Sequence, residues 1–588
     1  MTQSSFRSHA TSVVLLSLLC GGCGDDGGAT AGASGTGGVG ATGGSAGQGG
    51  NSGGAAGVGG AAGNGGGAGS GGLASNATSP LGTNLAGVKD WSTEWTFVDA
   101  FRASRSWISG SQGTWDDGKP VATDADGWVT SLAPGQIVRT LMFWEGEHYP
   151  AGQYVVLYEG NGTLEYGVAA ARDAGQSKQG RDVLTVDPAK GGIVLTITTT
   201  DSSNPLRNIR VIMPGGVCEN DGFRYCEVAT DCEDSAACTG FESAYDKVVF
   251  HPKFLQSIRS YRLLRFMDWG ETNDSEQAAW ADRPKPSDAR WTEKGVPVEV
   301  MVDLANRVSA DPWFTIPHKA DDAYVTEYAK LVKAGLAAGL KAWVEHSNEV
   351  WNGQFQQSKD ASTRGQALGL SSNPFEAQLR YHSRRSTEIF DIWSQAIGDP
   401  NRLVRVMAAQ AANAWTSKTV LEFEDAQKKT DVLAIAPYFG GSFGIPANQS
   451  TVEKMSVDQL LSELEATALP DAITWMNEQA DVAKTHGVAL VAYEGGQHLA
   501  GALGVENNDA INTLFDAANR DARMGTLYAK YLAAWKAAGG TLFAHFVHCE
   551  RQSKWGRWGA LEYLEQPRQE APKFDALQTF IETTPKWW

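Results

Sequence analysis

Val344-Glu345-His346-Ser347-Asn348-Glu349 and Val491-Ala492-Tyr493-Glu494-Gly495-Gly496 are the two stretches on which the fold is read. In each, a short and largely apolar run (residues 340–344 or 488–493) stops abruptly and a carboxylate follows, Glu349 in one case and Glu494 in the other. A brief apolar run that ends in a polar turn is the pattern of a parallel strand buried on both faces. In a closed α/β barrel the chemistry sits where such strands end.

Outward from these two runs, further strand–helix units can be counted. Residues 81–85 open a first strand, with a helix expected over 95–105. Residues 261–267 read as a second strand ending at Asp268, and 296–302 as a third. Tyr324, Val325, Tyr328, Leu331, Val332 and Leu336 recur at helical spacing, with Asp321 and Asp322 as caps and Gly339 as a stop. The strand before Glu349 is then the fourth. A helix over 379–393 precedes a fifth strand at 403–409, and a sixth at 432–436 ends at Pro437-Tyr438. The strand before Glu494 is the seventh. Met524, Leu527, Tyr528, Tyr531, Leu532 and Trp535 line one helical face before an eighth strand at 541–547. Eight alternating units argue for an α/β fold of the (β/α)8 TIM-barrel type.

One long interruption separates the first and second units. Residues 110–215 show strand-like alternation at 137–143, 154–158, 183–186, 193–198 and 209–213, punctuated by turns such as Gly160-Asn161-Gly162. This predicts a β-sandwich inserted after the first strand–helix unit, on the side where the catalytic loops open. Cys218, Cys226, Cys232 and Cys238 follow within residues 216–243. In an exported chain four clustered cysteines read as two disulfides, with three pairings open. Their spacing lacks paired C-x-x-C elements, so no metal is assigned to them. Asp231, Glu233 and Asp234 read as a solvated acidic loop, and Cys549 as a buried free thiol.

The N-terminal region is not part of the fold. Arg7 and His9 precede an apolar run at 13–19, far shorter than the ~20 residues a spanning helix needs. That is a secretory signal pattern. Leu19-Cys20-Gly21-Gly22-Cys23 resembles a bacterial lipoprotein cleavage site, with Cys23 as the lipidated residue and plain secretion as the rival reading. Residues 24–79 are nearly all Gly, Ala, Ser and Thr, too poor in apolar surface to fold, and read as a flexible tether. The organisation is thus signal (1–23), tether (24–79), first barrel unit (80–109), insert (110–215), cysteine-rich loop (216–243) and the rest of the barrel (244–588).

The chain carries 49 Lys+Arg against 67 Asp+Glu, a formal charge of -18 over 588 residues. Such acidity argues against nucleic acid and anionic lipid as partners, leaving the membrane only as the seat of the lipid anchor. No P-loop, dinucleotide fingerprint or strong metal-ligand cluster is present, so no cofactor is implied. Two glutamates displayed from two barrel strands are what hydrolysis of a glycosidic bond requires, one as proton donor and one as nucleophile or base. The 20 tryptophans suit the apolar faces of sugar rings, although core packing must account for most of them.

With Asn348-Glu349 closing the fourth strand and Glu494 the seventh, the barrel segments resemble clan A of the glycoside hydrolases. That clan comprises retaining cellulases, mannanases, xylosidases and related β-glycosidases on (β/α)8 barrels. The resemblance implies Glu349 as general acid/base, Asn348 as a ligand of the sugar 2-hydroxyl and Glu494 as nucleophile. It implies Arg265 and Tyr438 as supports of the nucleophile. Asp268 and Trp269 after strand two, and Trp313, Phe314 and His318 after strand three, are expected at subsites. Trp351, Trp415 and Trp555 are expected to stack on sugar rings, and His548 to border the site. The region after strand eight, His548-Cys549-Glu550 with Trp555 and Trp558, departs from the clan's pattern. The expected protein is a monomeric, exported, lipid-anchored hydrolase of β-linked polysaccharide. The alternative is a surface lipoprotein that binds carbohydrate without turnover, though such a binder has no use for the second glutamate.

Overall fold

Eight short parallel strands close into a barrel in a computed structural model that describes residues 76–144 and 146–588. They are Leu81–Asn84 (β1), Leu263–Arg265 (β2), Asp311–Ile316 (β3), Ala342–His346 (β4), Leu403–Ala408 (β5), Val432–Ile435 (β6), Ala489–Ala492 (β7) and Phe543–His545 (β8). Every neighbouring pair runs parallel, and closure is made by β8 against β1, where Leu81 pairs Phe543. The strands read as continuous apolar runs because one face fills the barrel and the other meets the helices. Residues 1–75, which include the signal, Cys23 and nearly all of the tether, lie outside the described residues.

Two elements differ from expectation. Residues 296–302 are not a strand, for Val298–Val308 is an α-helix with Pro297 at its N-cap. The alternating valines resemble a strand, but burial continues through Met301, Leu304, Ala305 and Val308 at helical spacing. The third barrel strand is Asp311–Ile316, so Trp313 and Phe314 lie within it rather than beyond its end. Residues 95–105 are not a helix either. Only a 3₁₀ turn, Ala100–Ala103, forms there. Asp99 caps that turn, its carboxylate accepting from the Phe101 amide at 3.1 Å, and also accepts from the Val211 amide of the insert at 2.9 Å. A tertiary hydrogen bond overrides local propensity.

Between β1 and β2 lie two four-stranded antiparallel sheets. One runs Ile108–Gly110, Ile137–Met142, Ile193–Thr200, Gly162–Val168, and the other Arg207–Ile212, Gly152–Glu159, Arg181–Val186, Ala170–Lys178. The Trp144 amide donates to Asp90 O at 2.7 Å, which fastens the insert to the loop after β1. A three-stranded sheet follows, stapled by Cys218–Cys232 and Cys226–Cys238, while Cys549 is a buried free thiol. Among the described residues no helix is long and apolar enough to cross a membrane.

The described chain is already docked at Asn76, whose side-chain amide donates to Tyr261 O at 2.8 Å and to Val308 O at 2.9 Å. Asn76→Ala would leave two buried carbonyls without that donor. It should lower the unfolding free energy by about 1–3 kcal/mol in a urea titration. An unchanged midpoint would contradict this anchoring.

Candidate active site

The barrel mouth is organised around Arg265, the last residue of β2, whose side chain is wholly buried. Its Nη1 donates to Glu494 Oε1 at 2.7 Å and to Asn84 Oδ1 at 3.1 Å. Nη2 donates to Asn348 Oδ1 at 2.9 Å and to Glu345 Oε2 at 3.0 Å, and Nε reaches the same Glu345 oxygen at 3.2 Å. The guanidinium carbon also lies 4.9 Å from the Tyr493 ring centre and 5.5 Å from that of Trp313. One cation therefore joins groups from β1, β4 and the turns after β4 and β7. Such a fork holds geometry in a way that a lysine's point charge would not.

Glu349 is delivered by a tight turn after β4 in which Ser347 and Glu349 themselves take positive φ, 59° and 40°. These are left-handed conformations that non-glycine residues adopt at a cost. The carboxyl is 4 % exposed; Oε1 accepts from the Tyr493 hydroxyl at 2.9 Å and Oε2 from Asn352 Nδ2 at 2.9 Å. Asn348 beside it is oriented from two sides, accepting from Arg265 and donating to Asn273 Oδ1 at 3.1 Å. Glu494 follows β7, and its second oxygen accepts from the Tyr438 hydroxyl at 3.0 Å. The two glycines behind it are required by crowding. A Cβ on Gly495 would lie 2.6 Å from the Phe543 ring, and Gly496 has φ 135° with Tyr528 Oη 2.5 Å from its Cβ position.

The two carboxyls have unequal surroundings. Burial, then the charge of Glu494, pushes Glu349 up to about 8. Burial raises Glu494 as well, and its pKa stays above the ordinary value, with Arg265 and the Tyr438 hydroxyl opposing the rise. Of the two, Glu349, which Arg265 does not touch, is the carboxyl whose surroundings favour the proton. Glu345, inside β4, enters the same network through Arg265 and accepts from Trp313 Nε1 at 2.8 Å.

Other residues singled out from sequence are dispersed. Trp351 is buried, borders the cleft beside Glu349 and meets the Tyr493 ring edge-on at 6.0 Å. Asp268 is half-buried near Glu494, whose charge acts on it. Trp269, Trp313 and His548 offer no face to a ligand, all three being 0 % exposed. Trp269 donates to Ala86 O at 3.0 Å, Trp313 stacks on Trp343 at 5.3 Å inside the barrel, and His548 bonds Ser257 at 2.9 Å. Packing accounts for these three, so they are corrected from contact to support. His318 is buried against Asp360 at 3.0 Å. Trp415 and Trp555 are exposed, beside Phe375 and Lys554 respectively, and neither lines the cleft. After β8, Phe546 meets Tyr438 edge-on at 6.4 Å. Asn84, Asn273, Asn352 and Tyr493 were missed from sequence. Only Tyr493, adjacent to Glu494, carried any signal.

Glu349 should titrate near pH 8 in a carbon-13 carboxyl titration of the protein, and Glu494→Gln, by removing the neighbouring negative charge, should move it down. Because its pKa rises on folding from an ordinary 4.5, the folded state keeps a proton that the unfolded chain releases. Stability from this group is accordingly present below pH 4.5 and lost as pH rises towards about 8. A Glu349 that titrates near its ordinary value, or ignores the Glu494 substitution, would contradict the assignment.

No protein-family model matches the chain, and no curated protein does. Among solved structures it is similar to the GH51 arabinofuranosidase from Xanthomonas axonopodis pv. citri, at 12% identity over 52% of this chain and 61% of that one, with a TM-score of 0.32. A Bacteroides ovatus GH5 xyloglucanase in complex with a XXXG heptasaccharide aligns at 9% identity over 76% and 96%, TM-score 0.31. A GH5-4 broad specificity endoglucanase from an uncultured bacterium aligns at 13% over 55% and 83%, TM-score 0.30. The chain thus spans less than two thirds of the arabinofuranosidase's length. At such distances the likeness carries no argument about reaction or substrate, and the site's own geometry has to supply one.

Proposed function

We propose that the protein is a retaining glycoside hydrolase that cleaves β-glycosidic bonds in a polysaccharide outside the cell, held at the envelope by a lipid on Cys23. The observation that carries the reading is the unequal pair of carboxyls: Glu349 lies between the neutral donors Tyr493 and Asn352, and Glu494 between the cation Arg265 and Tyr438.

In the first step the Glu494 carboxylate attacks the anomeric carbon while Glu349 gives its proton to the departing glycosidic oxygen. The C–O bond to the leaving group breaks as the bond to Glu494 forms. Esterification removes the charge of Glu494, and with it one cause of the raised pKa of Glu349. Glu349, now a carboxylate, takes a proton from water. The resulting attack on the anomeric carbon releases Glu494 and returns the starting protonation state. Asn348, held by Arg265 and Asn273, presents its amide to the 2-hydroxyl of the sugar being cleaved. Arg265 keeps Glu494 ionised and Tyr438 aligns it.

With an activated aryl β-glycoside, Glu494→Gln should lower turnover by about 10³-fold or more, because both steps need that carboxylate. Glu349→Ala should keep the glycosylation of an activated leaving group but stall deglycosylation. Added azide, which needs no base, should then restore turnover and yield a β-glycosyl azide. Azide rescue of the Glu494 variant with inverted product, and none with Glu349→Ala, would reverse the two roles.

A further inference from the structure

Beside Glu349 the barrel mouth opens into a cleft of about 800 Å³, solvent at its entrance included. Glu349, Tyr438 and Tyr493 line it, whereas Glu494, Asn348 and Arg265 are not among its lining residues. The cleft therefore meets the acid directly and the nucleophile only through Tyr438, whose hydroxyl bonds Glu494. Its far wall comes from the β6–β7 connection. There a π-helical turn, Leu464–Ala468, runs into the helix Leu469–His486 and turns Ala468, Asp471 and Trp475 towards the cleft. π-turns within helices recur where function requires a side chain to be re-aimed.

Three side chains on this lining make no side-chain hydrogen bond among the described residues. Trp475, half-buried, has no hydrogen bond and no aromatic neighbour among the described residues. Asp471, exposed to solvent on one side, has no cation and no hydrogen-bond donor among them, and partial burial raises its carboxyl. His498 is 6 % exposed and packs edge-on against Tyr438 at 5.3 Å, yet its Nδ1 bonds nothing. Burial holds its pKa down to about 4, so the ring is neutral and can donate or accept. A flat apolar ring, an acceptor-only carboxylate and an unpaired imidazole around one cavity match the chemistry of a sugar ring, with its apolar face and its edge of hydroxyls.

Resting on the reading of Glu349 as the acid, we propose that this cleft binds the leaving-group side of the substrate. The group it takes is a sugar ring stacked on Trp475, with its hydroxyls bonded to Asp471 and His498. Acid and leaving group must be adjacent because the proton goes to the oxygen between the two sugars. Binding energy gathered here, away from the bond that breaks, would act on kcat/KM only for substrates whose leaving group fills the cleft.

The test compares β-glycosyl fluorides of glucose, mannose, xylose and galactose with β-linked oligosaccharides of the same sugars. Fluoride is too small to fill the cleft and needs no stacking partner. Trp475→Ala and Asp471→Asn should each lower kcat/KM on the oligosaccharide by about tenfold, leaving the fluoride within about twofold. Trp475→Phe, which keeps a flat ring, should recover much of the loss. Equal falls on fluoride and oligosaccharide, or no fall on either, would overturn the leaving-group assignment while the glycosidase reading stands. Wild-type protein that turns over no fluoride and no oligosaccharide would overturn that reading and this one together.

Discussion

The wholly buried guanidinium of Arg265 is the constraint on which the barrel mouth depends. Burying a cation in a barrel is unfavourable unless its donors are met by charge and hydrogen bonds. Here they are met by Glu494, Glu345, Asn348 and Asn84, which come from different parts of the barrel. A pair of this kind adds little net stability, but removing either side strands an uncompensated charge. Its value lies in geometry: the two stretches that carry the carboxyls cannot shift independently while both remain bonded to one planar fork. Asn84 extends the constraint, since its amide donates to Tyr493 O at 2.9 Å and His545 O at 3.2 Å, tying β1 to the end of β7 and to β8.

Asymmetry between the carboxyls follows from the same arrangement. Both are buried, and burial alone would raise both. Arg265 breaks the tie by touching Glu494 and not Glu349. Tyr438 adds a second donor to Glu494. Tyr493 and Asn352 also donate to Glu349, yet two neutral donors do not offset its desolvation and the nearby negative charge. Division of labour between two identical side chains thus comes from one cation placed off-centre.

The barrel was legible where burial left an unambiguous pattern. The strands ahead of Glu349 and Glu494 stand out because parallel barrel strands are apolar on both faces. Arg265 and Tyr438 could be named because they sit at strand ends. The third strand was misplaced because Val296–Val302 alternates as a strand would, while Asp311-Pro312-Trp313 begins with residues that sequence reasoning assigns to turns. Asp311 is tolerated there because Arg262 pairs with it at 2.9 Å, a contact visible only in three dimensions. The same reason hid Glu345. A carboxylate inside a strand looks outward-facing until the arginine that receives it is known. Asn84, Asn273 and Asn352 carry no local signal, since their role is to orient neighbours distant in sequence. Aromatic residues misled in the other direction: Trp269 follows β2 and Trp313 lies within β3, and both are consumed by packing.

Chemistry that assigns one carboxyl as nucleophile makes a covalent claim, and a covalent adduct can be weighed. The protein should be incubated with 2-deoxy-2-fluoro-β-glycosyl fluorides of glucose, mannose, xylose and galactose. In these the C2 fluorine slows both steps, while the C1 fluoride departs without an acid. Intact mass should rise by one fluorosugar for the sugar that fits, and peptide mapping should place it on Glu494. A label on Glu349, or turnover without any adduct that gives product of inverted configuration, would contradict the account.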